Sequence, residues 1–197
     1  MSHVTLAKAY FQARTQKTEF SLLNQAVLVV AGIVLLAISA HVKIPFYPVP
    51  VTMQTLVVLM IGMTYGTRLG GVTLLAYLGN GAIGLPVFAS GAGWAYMMGP
   101  TGGYLLGFFV AAIVLGQLAE MGWGKSLAST AAAMVIGNVV IYSFGVFWLS
   151  QMIGLEKAFQ FGLLPFVYGD ALKIVIAAGL MPFAWKAVQK LISKTDA

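Results

Sequence analysis

The stretch FGLLPFVYGDALK, Phe161 to Lys173, with the apolar run Ile174 to Ala184 behind it, decides what kind of fold this chain has. It sets a carboxylate, Asp170, and an ammonium, Lys173, three residues apart at the head of a long apolar segment. Helical spacing of three puts both on one face. Only 8% of the residues are charged, so an acid and a base inside such a run need a reason. Ionisable side chains within a membrane are costly, and they face a cavity, a partner or a substrate path. The competing reading is that the two charges only neutralise each other and pin the top of a helix.

Composition extends the membrane reading to the whole chain. The 197 residues are 60% hydrophobic with a mean hydropathy of +0.92, which leaves too little polar surface to wrap a soluble core. One integral membrane domain over residues 1–197 is expected: an all-α bundle in the lipid bilayer of the plasma (inner) membrane. The absence of cysteine excludes disulfides, thiolate catalysis and Cys-based metal sites. His3 and His41 are the only histidines, so neither a metal site nor a bound cofactor is expected. Eleven basic against five acidic residues would suit nucleic acid. Most of the basic residues flank apolar runs, however, as membrane orientation requires, so no nucleic-acid partner is expected. The polar segment Met1 to Ser21 precedes a run with no cleavage site leading to a soluble domain. The first span therefore reads as retained, not as a signal peptide.

A spanning helix needs about 20 apolar residues. The candidates are Asn24 to Val42, closed by Pro45, Pro48 and Pro50; Val51 to Tyr65, which is short; Gly71 to Val87 after a turn at Gly66 to Gly70; Thr101 to Ala119; Ala128 to Met152; and Phe166 to Leu191. Six spans with both termini cytoplasmic divide the chain into an N-terminal segment 1–21, a bundle 22–192 and a tail 193–197. This arrangement puts eight of the eleven basic residues inside: Lys8, Arg14, Lys17, Arg68, Lys125, Lys186, Lys190 and Lys194. Lys43 and Lys157 alone lie outside, which fits the positive-inside rule. The outer side then collects KIPFYPVPVTMQT (Lys43 to Thr55), LPVFASGAGWAYMMGPTGGY (Leu85 to Tyr104) and the GD..K stretch. Non-helical backbone at membrane depth is tolerated where it lines a cavity or is buried in protein, so an outward-facing pocket roofed by loops is expected.

Several motifs fail on context. Gly79, Gly81 and Gly84 match G-x-G-x-x-G without the strand, helix and acidic residue that a dinucleotide site requires. Gly124-Lys125-Ser126 resembles the end of a phosphate loop, but Ala119 stands where the pattern needs Gly. Ser143 lacks the preceding Gly of a nucleophile elbow, Ile141 standing there, so the chain is not read as an enzyme. Gly62, Gly66 and Gly70, Ala112 with Gly116, and Ala128 with Ala132 form small faces that favour close helix packing within the subunit and leave a homo-oligomer open. Asn138, in mid-span, is expected to hydrogen-bond between helices. Thr52 and Gln54 can equally cap a helix or reach into the pocket. Phe88, Trp94 and Tyr96 are candidate lining residues, since small-ligand pockets are aromatic with a few polar groups. Tyr168, two residues before Asp170, is counted with them.

PVPVTMQTLVVLM, GLPVFA with Gly91 and Gly93, GPTGGYLLGF (Gly99 to Phe108) and the final GDALK together resemble the BioY family, in order and spacing, from about Lys43 to Lys173. The resemblance implies a six-helix subunit that captures biotin on the outer side. A coupling transmembrane subunit and ATPase subunits of an energy-coupling-factor transporter would then drive transport. Asp170 and Lys173 match the family's acidic and basic positions at the ligand, and Gly91 and Gly93 belong to its glycine-rich run. Trp94 departs from the pattern, where a small residue is expected. The chemistry agrees: a carboxylate accepts from ureido N–H groups in charge-assisted bonds, and an ammonium donates to the ureido carbonyl or to the carboxylate tail. Thiamin or riboflavin capture, an intramembrane enzyme and a structural scaffold are the competing readings.

Overall fold

The computed structural model describes residues 4–15 and 20–195. His3, Lys17 and Glu19 from the N-terminal segment, and residues 196–197 of the tail, lie outside the described residues. The elements in chain order are α1 (Leu6–Thr15), α2 (Leu22–His41), β1 (Lys43–Ile44), β2 (Val51–Thr52), α3 (Gln54–Ala82), α4 (Gly93–Met97), α5 (Gly102–Glu120), α6 (Leu127–Ile153), α7 (Leu155–Gly162) and α8 (Leu164–Thr195). Among the described residues, five helical stretches are long and apolar enough to cross a membrane: α2, α3, α5, α6 and the run from α7 into α8.

The second of these is a hairpin. Gly66 inside α3 has φ 83° and ψ 178°, outside the helical region, and only glycine adopts that conformation without strain. Gln54 Nε2 donates to the Tyr77 hydroxyl at 2.7 Å, whereas 23 residues of straight helix would set them about 35 Å apart. The chain therefore turns back at Gly66, and Gly62 lies against Gly70 across the two arms. The turn expected over Gly66 to Gly70 is thus concentrated at one residue, and the arm after it ends at Ala82, short of Val87.

Small residues bring the hairpin onto α5. A Cβ at Gly62 would lie 2.8 Å from the Ala112 carbonyl oxygen, and one at Gly116 would lie 2.3 Å from Thr67 N. These glycines serve packing within the chain, as their spacing suggests. Ala128 and Ala132 do not share that role, because both are exposed. One core cluster runs from Ala9 to Val188 and draws on all the long helices. α2 sits at the edge, with Leu22, Leu23, Val27 and Val30 exposed.

Three features depart from the expected six-helix plan. The proline-rich stretch forms a short antiparallel ribbon, Lys43 opposite Thr52 and Ile44 opposite Val51. The link around Lys157 is a helix, α7, and α8 begins at Leu164, with Pro165 in the first turn, where its missing N–H costs nothing. The N-terminal segment holds α1, with Ala7 and Ala9 buried and the Thr5 methyl group packed on Gly66.

The failed motifs have structural roles. Ser126 caps α6 through a reciprocal box with Ser129, and the Lys125 ammonium lies 5.2 Å from the Trp185 ring. A Cβ on Gly81 would lie 2.0 Å from the Phe88 ring, so glycine is there to admit the aromatic. Ser143 donates to the Val139 carbonyl one turn back.

Candidate ligand site

Asp170 and Lys173 are 4% and 6% exposed, in the first third of α8. Their i,i+3 spacing closes an ion pair of 2.9 Å between Lys173 Nζ and Asp170 Oδ1. Thr55, at the start of α3, joins both: its hydroxyl accepts from Lys173 at 2.7 Å and donates to Asp170 Oδ1 at 3.2 Å. Tyr142, on α6, donates to Asp170 Oδ2. Three helices thus converge on one carboxylate. Neither Thr55 nor Tyr142 was singled out from sequence, since nothing in VTMQT or IYSFG marks a hydroxyl that will meet a residue more than 25 positions away.

A small cavity beside Thr55 is lined by Thr52, Gln54 and Thr55 around the start of α3, by Tyr104, Leu105 and Phe108 of α5, by Phe166 of α8, and by Val49, Pro50, Ala89 and Tyr96 from the segments between the long helices, here called its roof. Tyr104, Tyr142 and Phe166 pack as a ring cluster with centroids 6.0 to 6.3 Å apart. The Tyr104 hydroxyl donates to the Gly162 carbonyl at 2.7 Å, fixing α5 to the end of α7. The volume is about 30 Å³, room for about one water molecule.

The roof is tied down at two points. Lys43 Nζ, on β1, donates to the Ala89 carbonyl and, at 3.1 Å, to the Ser90 hydroxyl. Gln54 donates to Tyr77, whose hydroxyl donates in turn to the Val87 carbonyl at 2.8 Å. Thr52 precedes the N-cap of α3, Met53, accepts from Gln54 N at 3.2 Å and lines the cavity.

Of the other sequence candidates, Phe88 is buried and stacks on Tyr96 at 5.3 Å, so it supports the roof from behind. Gly91 lies against the Tyr96 ring, where a Cβ would come within 2.7 Å. Gly93 opens α4 with φ 79°. Two candidates point elsewhere: Trp94 is 63% exposed on α4 and Tyr168 is 87% exposed on α8. Tyr168 fails for a helical reason, because two residues turn it by about 200° from Asp170 on a helix of 3.6 residues per turn. Asn138 makes no interhelical bond through its amide oxygen, which is buried without a partner among the described residues.

Two larger hollows lie elsewhere. An apolar groove of about 410 Å³ runs between α6 and α7 past Phe147 and Phe159. At the Gly66 end, a hollow of about 530 Å³ is lined by Lys8, Arg68 and Glu120. The second carries charges of both signs but lies among residues of the N-terminal segment, and the first is mainly apolar, with Tyr142 shared with the Asp170 network.

Five helical stretches of membrane-spanning length among the described residues, packed around a buried acid–base pair, define a polytopic membrane protein. The BioY family profile matches residues 12–190, and the chain belongs to that family. It is 41% identical over 155 residues to the biotin transporter BioY of Thermotoga maritima, covering 77% of this chain and 90% of that protein. It is 39% identical over 161 residues to the biotin transporter BioY of Rhizobium etli, covering 77% and 86%. The probable biotin transporter BioY of Pyrococcus horikoshii is 37% identical over 151 residues, 76% and 89% of the two chains. The crystal structure of the S-component for biotin from an ECF-type ABC transporter superposes with a TM-score of 0.74 at 23% identity, covering 85% of this chain and 95% of that one.

Proposed function

We propose that this chain is the biotin-capturing membrane subunit of an energy-coupling-factor transporter, binding its ligand between the Asp170–Lys173–Thr55–Tyr142 network and the aromatic cavity above it. That network carries the reading. Burying an ion pair costs about as much as its attraction returns, so such a pair is poor as a stabilising device and well suited to recognition. Biotin presents two ureido N–H donors, one carbonyl, an apolar fused thioether ring and a carboxylate tail. Asp170 accepts from the ureido N–H groups, Lys173 donates to a ligand oxygen, and Tyr104, Phe166 and Tyr96 cover the ring. Asp170 and Lys173 stand one hydroxyl behind the cavity wall, so Thr55 turns aside as the roof lifts.

The ligand assignment is supported by the relatives named as biotin transporters. Dependence on separate coupling and ATPase subunits is supported by likeness to an ECF S-component. We read the chain as one membrane domain with six crossings, the α3 hairpin supplying two and α7 with α8 one. The arms of α3, about 18 and 24 Å at 1.5 Å per residue, are shorter than the hydrocarbon core of about 30 Å. With both termini inside, Lys8, Arg68 and Lys125 lie at the cytoplasmic face and Lys43 outside, as positive-inside sorting requires. The exposed apolar side of α2 then faces the bilayer and partner subunits.

A thermal-shift panel of biotin, thiamin and riboflavin on the purified chain tests the ligand. A compound that binds only the folded state stabilises it by about 2.7 kcal/mol at 100 times its Kd. Biotin alone is expected to raise the unfolding temperature; a shift with thiamin or riboflavin and none with biotin overturns the assignment.

A further inference from the structure

Asn138 lies near the middle of α6, is 8% exposed, and has an amide oxygen with no hydrogen-bond partner among the described residues. A buried acceptor left unpaired is a net cost that an apolar side chain of the same size would avoid, so its use has to be sought in another state of the protein. Asn138 lines a cleft together with Lys173, Thr55, Leu59 and Ile174, and that cleft leaves no volume for a water molecule. A bridging solvent molecule therefore does not satisfy it there.

The register of two helices explains the juxtaposition. α6 offers Tyr142 to Asp170, and Asn138 lies one turn earlier on the same face. α8 offers Lys173 one turn after Asp170. The two helices pack with the later residue of one against the earlier residue of the other, so Asn138 falls at the level of Lys173. An ammonium has three N–H donors. Those of Lys173 reach Asp170 and Thr55, at 2.9 and 2.7 Å, and the third has no partner among the described residues. Ligand binding draws on this pair: a ureido N–H takes lone-pair space on Asp170, and Thr55 must turn away for contact to occur. Lys173 then loses an acceptor while it stays buried.

We infer that Asn138 is a positioning residue that takes over a Lys173 N–H in the liganded state. Its amide oxygen replaces Thr55 or Asp170 as acceptor and holds the ammonium in line with the ligand oxygen. Asn138 touches no ligand itself, and the unliganded protein carries the cost of its unpaired oxygen. This inference deepens the biotin reading and rests on it.

The experiment measures two quantities, biotin affinity by calorimetry and unfolding temperature without ligand, in wild type, Asn138→Leu and Asn138→Asp. Leucine keeps the shape and removes the acceptor; aspartate keeps an acceptor oxygen. Asn138→Leu is expected to bind biotin at least tenfold more weakly while its unliganded unfolding temperature stays equal or rises, and Asn138→Asp to remain within about threefold of wild type, a tenfold change in Kd being about 1.4 kcal/mol. Wild-type affinity in Asn138→Leu overturns the inference. So does a loss of affinity matched by a fall in unliganded stability, which marks a packing role, and so does an equal loss in both variants. If wild type itself fails to bind biotin, the ligand assignment has failed instead, and the two failures are distinguishable.

Discussion

Removing the buried pair whole separates recognition from architecture. Asp170→Leu and Lys173→Met are made singly and together. Both groups are buried and joined at 2.9 Å, so each single change strands the other charge at a cost of about 3–5 kcal/mol. The double variant strands none. Replacing a buried pair by apolar residues gains up to about 4 kcal/mol. Against this, the Thr55 and Tyr142 hydroxyls lose the carboxylate they now donate to, at about 1–3 kcal/mol for each left unsatisfied. At mid-range the double variant should therefore lie about 2 kcal/mol below wild type, several kcal/mol above additive expectation. Binding should not recover. Two charge-assisted bonds to the ligand, at about 1.5–3 kcal/mol each, correspond to a loss of about 10²- to 10⁴-fold in Kd. Tryptophan fluorescence during detergent unfolding gives the stability and calorimetry the affinity. Near-wild-type biotin affinity in the double variant would refute the recognition role and leave the pair as a helix pin. Single variants as stable as wild type would refute the claim that the two charges depend on each other.

The roof and its neighbours allow three more tests. Lys43→Ala removes the bonds to Ala89 and Ser90, so bound biotin should dissociate about tenfold faster, from about 1.4 kcal/mol of lost closure; a chase with unlabelled biotin that shows unchanged release counts against this latch. Trp94→Ala and Tyr168→Ala, at exposed sites, should change Kd by less than about twofold. Tyr96→Ala, which removes the ring stacked on Phe88 at the cavity roof, should weaken binding by about tenfold or more, given roughly 0.5–1.5 kcal/mol per ring pair plus the buried area. Equal effects at Trp94 and Tyr96 would contradict the placement of the site.

Legibility in the sequence varied from element to element. The helices α5 and α6 begin and end within one residue of their apolar runs, because a membrane span is a property of local composition and length. The α3 hairpin was visible as a short run, a glycine-spaced turn and a second run. That glycine allows the reversal, but the tightness of the turn depends on Glu120, which holds Thr67 N at 2.8 Å from the neighbouring α5. The ribbon at Lys43 was not legible, since paired strands two residues long have no periodicity to read. α7 is too short to be read as a span, although Leu155, Ala158, Phe159 and Gly162 keep helical spacing.

The sequence by itself determined that this is a membrane protein with a charged pair in its last span, since one charge pair in so apolar a chain is evident from composition and i,i+3 spacing is local geometry. It also carried the family resemblance that the profile match confirms. Only the tertiary structure decided who joins that pair. Thr55, Tyr142 and Asn138 reach α8 from two other helices, and which side chains meet depends on helix rotation and register set by the packing of Gly62, Gly116 and the ring cluster. That packing is a long-range property, and for the same reason Tyr168, two residues from Asp170 in sequence, faces away from the site while Thr55, on a distant helix, is bonded to it.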